Sequence, residues 1–274
     1  MRTLCLRQEA GARSCPPGGH WCAVPPRVSV LVPVRDAGSY LDPALRSIRA
    51  QRLRDFDVVC VDDGSVDGSA ERLDAWARAD SRFRVLHRPP RGIVAALNCG
   101  LEAARADLVA RFDADDIMHP DRLAAQIAFL DGSPEVDVVG SRVRHFPQPR
   151  VREGNRAYER WLNGLLTHDE IARDIFVESP LASPSVTVRR RLFDRVGAWR
   201  DPGWAEDYDL WLRAWLGGCR FAKLARTLHF WRDHPGRLTR EHGIRLARPR
   251  LIQDRLVILA SILSRVRFRA SPGP

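Results

Sequence analysis

Lysine is almost missing from this chain. Of its 44 basic residues only Lys223 is a lysine, which leaves 44 − 1 = 43 arginines. Such a bias often reflects a GC-rich genome and carries little chemistry by itself. Long apolar runs are missing too. The longest near the C-terminus, Leu256–Leu263, has eight residues, where a membrane-crossing helix needs about 20. The first 27 residues lack the apolar core of a signal peptide. These absences lead us to expect a cytoplasmic protein, soluble or attached at the inner membrane periphery. No Gly-x-Gly-x-x-Gly follows the first strand-like run, where "PVRDAGSYL" stands, and there is no P-loop. A dinucleotide-dependent oxidoreductase is therefore excluded. The glycine-rich basic loop that nucleotidyl transfer onto a sugar phosphate requires is absent as well. Cysteine is sparse: Cys5, Cys15 and Cys22, with His20, match no zinc spacing, while Cys60 and Cys99 lie in apolar patterns and read as buried thiols.

What remains is a 274-residue chain, 45% hydrophobic, with net charge +10. That length suits one sizeable domain with an appendage. From Arg240 onward eight arginines stand against Glu241 and Asp254, 8 − 2 = +6, so much of the excess charge lies in the tail. The tail reads either as a solvated basic helix or as a face for anionic lipid or RNA. Residues 1–26 read as a disordered arm, 27–236 as the folded domain and 237–274 as a basic helical tail.

Within the domain, "VSVLVPV" (Val28–Val34) is a continuous β-branched run of the kind buried on both faces of a sheet. Further strands are expected at Asp57–Val61, Arg84–His87, Asp107–Phe112 and Val136–Phe146. Helical patterns fall between them, with Leu41, Leu45 and Ile48 on one face of the first and Pro120 expected at the start of the last. Strands alternating with helices predict an α/β fold, a mostly parallel sheet covered on both faces. The second half reads as more helical, over 155–166, 168–176 and 206–216, with one strand at Ser185–Arg189. In such sheets ligands bind beyond the carboxyl ends of the strands, and three polar clusters fall there: "PVRD", "DDGS" and "DADD".

"FDADDIMHPDRL" places Asp113, Asp115 and Asp116 within four residues directly after a buried strand. Crowded carboxylates raise one another's pKa unless something compensates. A hard cation, Mn²⁺ or Mg²⁺, prefers such oxygens and keeps positions open for phosphate. The competing reading is a helix-start cluster. In "VDDGSVDGS", Asp62 and Asp63 end a strand, and an aspartate at either position can accept the imide N–H of a uracil, whereas Asp67 suits an Asx-turn.

Taken together, "VSVLVPVRDAGSYL", "VVCVDDGSVDGS", "RGIVAALNCGL", "ARFDADDIMHPDRL" and "WAEDYDLWLRAW" resemble, in order and spacing, the family 2 glycosyltransferases of the GT-A fold. The resemblance covers about residues 27–236. It implies inverting transfer of a sugar from a nucleotide sugar, commonly a UDP-sugar. It also implies a nucleotide-sugar half (27–146) and an acceptor half (147–236). Residue by residue, Asp63 would meet the uracil, with backbone near Pro33 and Val34 lining the base pocket. Arg91 would face the phosphates. Asp113 would contact ribose or metal, Asp115 the metal, and Asp116 either. Asp207 would be the general base that takes the acceptor proton, with Glu206 orienting the acceptor. Charge at a helix N-terminus is the plainer reading of that pair, and Asp209 reads as structural. His234, in "FWRDHPGRL", resembles a histidine that completes the metal shell in some relatives; a lone turn residue is the plainer alternative. Relatives often carry His-Pro-Ser where this chain has Ser183-Pro184-Ser185, which touches acceptor handling and not the donor site. Trp204 could stack on a sugar, whereas Trp211 and Trp215 read as core.

The acceptor is open at this level. A glycan or lipid-linked acceptor in envelope polysaccharide synthesis is the default for stand-alone members, with the basic tail docking on a membrane. "GSRVRHF" and "YERWLN" also look like stretches of the transferase that galactosylates queuosine in tRNA, and the basic pI would suit RNA. A catalytically inactive nucleotide-binding module on the same fold is the third alternative.

Overall fold

A computed structural model describes residues 25–236 of the chain. The arm and tail readings fall almost wholly outside the described residues. Chain order is β1 (Val28–Val34), α1 (Leu41–Arg49), β2 (Phe56–Asp62), α2 (Ser69–Ala79), β3 (Phe83–His87), α3 (Ile93–Ala103) and β4 (Leu108–Arg111). It continues with β5 (Ile117–Met118), α4 (Arg122–Gly132), β6 (Val136–Phe146), α5 (Glu153–Gly164), α6 (His168–Asp174), β7 (Thr187–Arg189), α7 (Arg191–Val196), α8 (Glu206–Leu216) and β8 (Arg220–Arg232).

The strands form one eight-stranded sheet in the order β3-β2-β1-β4-β7-β6-β8-β5. Four of its pairings are parallel and three antiparallel. β1 has neighbours on both sides, β2 and β4, reached by helices of opposite faces. That is a topological switch point, where a crevice opens beyond the strand ends. Alternation along the strands explains the unbroken apolar run. Val30, Val32, Val58 and Cys60 pack with Leu41, Leu45 and Ile48 of α1 on one face. Leu31, Val59 and Val61 pack with Leu97 of α3 and Trp211 of α8 on the other. Each such fully buried aliphatic side chain contributes about 2 kcal/mol. α3 lies so close to the sheet that a Cβ on Gly100 would stand 1.9 Å from Leu31 Cδ1.

Pro33 sits in a central strand, where proline normally breaks a ladder. Here it costs nothing. Asp63 N–H donates to Val34 O and Phe112 N–H to Leu31 O, so Leu31 and Pro33 face β4, whose pairing with β1 ends at Leu31. Pro33 lies beyond the last β1–β4 register pair, so its missing N–H breaks no β1–β4 pairing.

Several expectations are corrected. Pro120 does not begin a helix: α4 starts at Arg122 after Asp121. The expected strand at Ser185–Arg189 is shorter, Thr187–Arg189, because residues Ser183–Ser185 form a 3₁₀ turn. Cys60 is buried, but Cys99 is only partly so. β8, a 13-residue strand, is not readable from the sequence, because Lys223 and Arg226 interrupt its apolar alternation. Burial pushes the Lys223 ammonium down to about 7, and its Nζ donates to Leu162 O at 2.5 Å and Pro180 O at 3.0 Å. No helix among the described residues is long and apolar enough to cross a membrane.

Candidate active site

Three loops knit together at the carboxyl ends of β1, β2 and β3. Asp36 holds a left-handed φ of 48°; its N–H donates to Ser65 Oγ at 3.0 Å and its Oδ1 accepts from Val66 N–H at 2.8 Å. Asp67 accepts from Gly38 N–H at 2.7 Å and Ser69 N–H at 2.9 Å, the Asx-turn expected of it. Burial would raise the Asp67 carboxyl, but the hydrogen bonds of Ser69 and Gly38, with Arg72 nearby, hold it below its ordinary value. Asp62 accepts from Ser65 N–H and pairs with His87, both at 3.0 Å.

Asp63 is buried, and its two oxygens accept from Arg91 N–H (2.9 Å) and Gly92 N–H (2.7 Å). The carboxylate thus braces the loop that carries Arg91, whose side chain is exposed. Arg35 and Arg88 approach it at 3.8 Å. Gly64 makes this closure possible: its φ is +76°, and a Cβ would lie 2.7 Å from Pro90 Cδ.

The turn between β4 and β5 carries the acidic cluster. Carboxylate oxygens of Asp113, Asp115 and Asp116 lie within 4.8 Å of one another, but their surroundings differ. Asp113 forms an ion pair with Arg111, Oδ1 to Nη1 at 2.6 Å. Asp115 meets His234 Nε2 at 2.7 Å. Both carboxylates are 26% exposed and open to the crevice. Asp116 is fully buried, with Oδ2 on His229 Nε2 at 2.9 Å and Oδ1 on Arg232 N–H at 2.7 Å. The cluster therefore belongs to a strand-to-strand turn and not to a helix start. The structure brings His234, 119 residues away in sequence, onto Asp115. Two half-exposed carboxylate side chains beside an imidazole nitrogen form a donor set that fits Mn²⁺ or Mg²⁺.

The first turn of α8 supplies Glu206 and Asp207. Asp207 Oδ1 accepts from Tyr208 N–H at 2.7 Å. Protein walls the Asp207 carboxyl closely even though some of its surface remains accessible. That desolvation, with the charge of Glu206, pushes it up to about 7, against the pull of Arg111 and the Tyr208 N–H. Asp209 is bound to Arg213 at 2.6 Å, one turn on, and is structural. Trp204 stacks edge-on against Tyr208, partly exposed beside this turn. Trp211 is fully buried, and Trp215 packs on Phe176.

Arg111 joins the two acidic groups and was not singled out from the sequence. Burial pulls its guanidinium down, but Asp113, Glu206 and Asp207 outweigh this and hold it above its ordinary value. An arginine inside the apolar run "LVARF" was the available signal. Tyr40 was missed too: its ring lies 4.5 Å from that of His234.

Residues 29–197 match the family model described as "Glycosyl transferase family 2". The chain belongs to this family. An Escherichia coli UDP-Gal:alpha-D-GlcNAc-diphosphoundecaprenol beta-1,3-galactosyltransferase is 28% identical over 225 residues, 81% of this chain and 80% of the relative. The chain spans only 28% to 63% of the length of three other bacterial relatives, from Bacillus subtilis and Haemophilus influenzae. Among solved structures, Staphylococcus aureus TarS 1-349 with UDP-GlcNAc superposes with a TM-score of 0.65 at 22% identity, over 77% of this chain and 60% of that one. The Pyrobaculum calidifontis mannosyltransferase PcManGT, with GDP-Man and Mn²⁺, gives 0.62 at 21% identity, over 92% and 67%. These likenesses establish the GT-A fold for this family 2 chain.

Proposed function

We propose that this family 2 protein is an inverting glycosyltransferase. It moves a sugar from a nucleotide sugar, a UDP-sugar by preference, to an acceptor hydroxyl in cell-envelope polysaccharide synthesis. One observation carries the reading. Two carboxylate groups of opposite character flank Arg111: a partly exposed pair, Asp113 and Asp115, with His234, and a desolvated Asp207 lifted to about 7. A donor site needs the first and a general base poised near neutrality needs the second.

In this reading the base enters beyond Pro33 and Val34, with Asp63 accepting the imide N–H while it continues to brace Arg91 and Gly92. Arg91 reaches the diphosphate. Asp113, Asp115 and His234 would hold Mn²⁺ or Mg²⁺, which would neutralise charge on the departing diphosphate. Glu206 orients the acceptor, and Asp207 takes the proton of its hydroxyl. The oxygen attacks the anomeric carbon opposite the diphosphate. The new C–O bond forms as the bond to the diphosphate breaks, so configuration inverts and the nucleoside diphosphate leaves with the electron pair.

The named activity of the galactosyltransferase relative supports a lipid-linked glycan acceptor, with the basic tail a candidate for peripheral membrane contact. The tRNA reading has less support. The two stretches that suggested it are spent on each other: Asn163 bonds both N–H and C=O of Val143, at 2.9 and 2.8 Å, and Glu159 accepts from His145. These contacts pack α5 on β6. The test is release of nucleoside diphosphate from a panel of nucleotide sugars with diphospholipid-linked acceptors, with Mn²⁺ or EDTA, followed by NMR of the product. A β-linkage from an α-linked donor is expected; retention would refute inversion, and transfer to tRNA alone would refute the acceptor.

A further inference from the structure

Among the described residues, the charged side chains of least exposure, Arg122 and Asp116, lie at and behind the acidic turn. Arg122, on the first turn of α4, is fully buried, an unusual place for an arginine. It donates from Nη1 to Pro184 O at 2.6 Å and from Nη2 to Arg111 O at 2.8 Å and Val186 O at 3.1 Å. Its Nε donates to Gln126 Oε1 at 3.2 Å. Nη1 also faces His229 Nδ1 at 3.3 Å. A guanidinium only donates, so His229 Nδ1 must accept and Nε2 must carry the ring proton. Nε2 then donates to Asp116 Oδ2 at 2.9 Å. The other Asp116 oxygen accepts the Arg232 N–H at 2.7 Å, and Arg232 Nε returns to Asp115 O at 2.7 Å. The hydrogen bonds run one way, Arg122 to His229 to Asp116. The carboxylate at their end ties the acidic turn to the end of β8, two residues before His234.

We propose that Arg122 and His229 are positioning residues: they fix Asp116 as an anchor that holds Asp115 and His234 together, and Asp116 is not itself a metal ligand. This rests on the donor-site reading above and adds to it a division of labour among the three aspartates. Outer partners that orient a ligand set commonly matter about 10-fold or more in metal affinity.

The polarity of the chain makes a specific test possible. Asp116→Asn must keep an oxygen toward the Arg232 N–H, so its amide N–H₂ meets the His229 N–H: donor against donor. The ring cannot exchange tautomers to relieve this, because its other nitrogen faces Arg122. A glutamine at 229 keeps a donor near the Nε2 position and can also turn its amide to accept. The measurement is calorimetric binding of UDP with Mn²⁺ to the native chain, His229→Gln, His229→Leu, Asp116→Asn and the double variant Asp116→Asn/His229→Gln, with thermal melts alongside. Near-native affinity is expected for His229→Gln. A loss of about 10-fold or more is expected for Asp116→Asn and His229→Leu, with recovery in the double variant. Unchanged affinity in folded His229→Leu would overturn the proposal. So would Asp116→Asn that stays weak when paired with a normal His229→Gln, since Asp116 would then act on the metal directly. If His229→Leu fails to fold, Asp116→Asn and the double variant decide alone. Absence of Mn²⁺-dependent binding by the native chain would instead refute the donor-site reading, and this role with it.

Discussion

Replacing Asp207 with asparagine should disable the protein and stabilise it at the same time. The carboxyl is lifted from 3.8 to about 7, chiefly by desolvation and then by the charge of Glu206. The folded state therefore binds the Asp207 proton more tightly than the unfolded chain does. Stability from this group is fully present below about pH 4 and is lost as the pH rises to about 7. At about 1.4 kcal/mol per pH unit, the rise from 3.8 to about 7 sets a ceiling of about 4 kcal/mol. Partial solvent access reduces this to about 1–2 kcal/mol. Asparagine is isosteric, keeps an acceptor for the Tyr208 N–H and carries no charge. Melts of both proteins from pH 4 to pH 8 should nearly coincide at the acid end. At pH 8 the variant should melt about 3–6 °C higher. Transfer should fall about 10²–10⁴-fold, with nucleotide affinity nearly unchanged. An active variant would remove Asp207 as the base, and an Asn variant less stable at every pH would refute the electrostatic reasoning.

Asp115→Ala should reduce nucleotide affinity in Mn²⁺ to the value measured in EDTA; equal affinity to native in both conditions would sink the assignment. Gly64→Ala combines a strained φ of +76° with a Cβ 2.7 Å from Pro90. It should cost about 1–3 kcal/mol in chemical denaturation and weaken nucleotide binding by shifting Arg91. Lys223 is depressed to about 7 by burial, so the unfolded chain binds more protons between pH 7 and 10. Native stability should rise with pH across that window relative to Lys223→Met; parallel pH profiles would contradict this.

The first half of the fold was legible because its strands are β-branched runs separated by glycine- and aspartate-rich turns. β6 coincides with its expected range, Val136–Phe146, for that reason. β8 escaped because a buried lysine and two exposed arginines break its alternation, and only the carbonyls of Leu162 and Pro180 make Lys223 tolerable there. Site legibility divides the same way. Asp113, Asp115, Glu206 and Asp207 announce themselves as local acidic clusters at element ends. His234 was reachable only through family resemblance. The Asp116–His229 pair joins residues 113 positions apart, and no local pattern marks His229. The acidic cluster as a sequence does not show which carboxylate is withdrawn, whereas folding buries Asp116 and leaves Asp113 and Asp115 partly open.

The most direct test of the central claim is calorimetric titration of UDP, GDP, CDP and dTDP, each with Mn²⁺ and with EDTA. Binding of one nucleotide, expected to be UDP, in Mn²⁺ and its loss in EDTA is the predicted result. Failure of all four to bind, or equal binding with and without metal, would contradict the account of Asp113, Asp115 and His234 as a donor site.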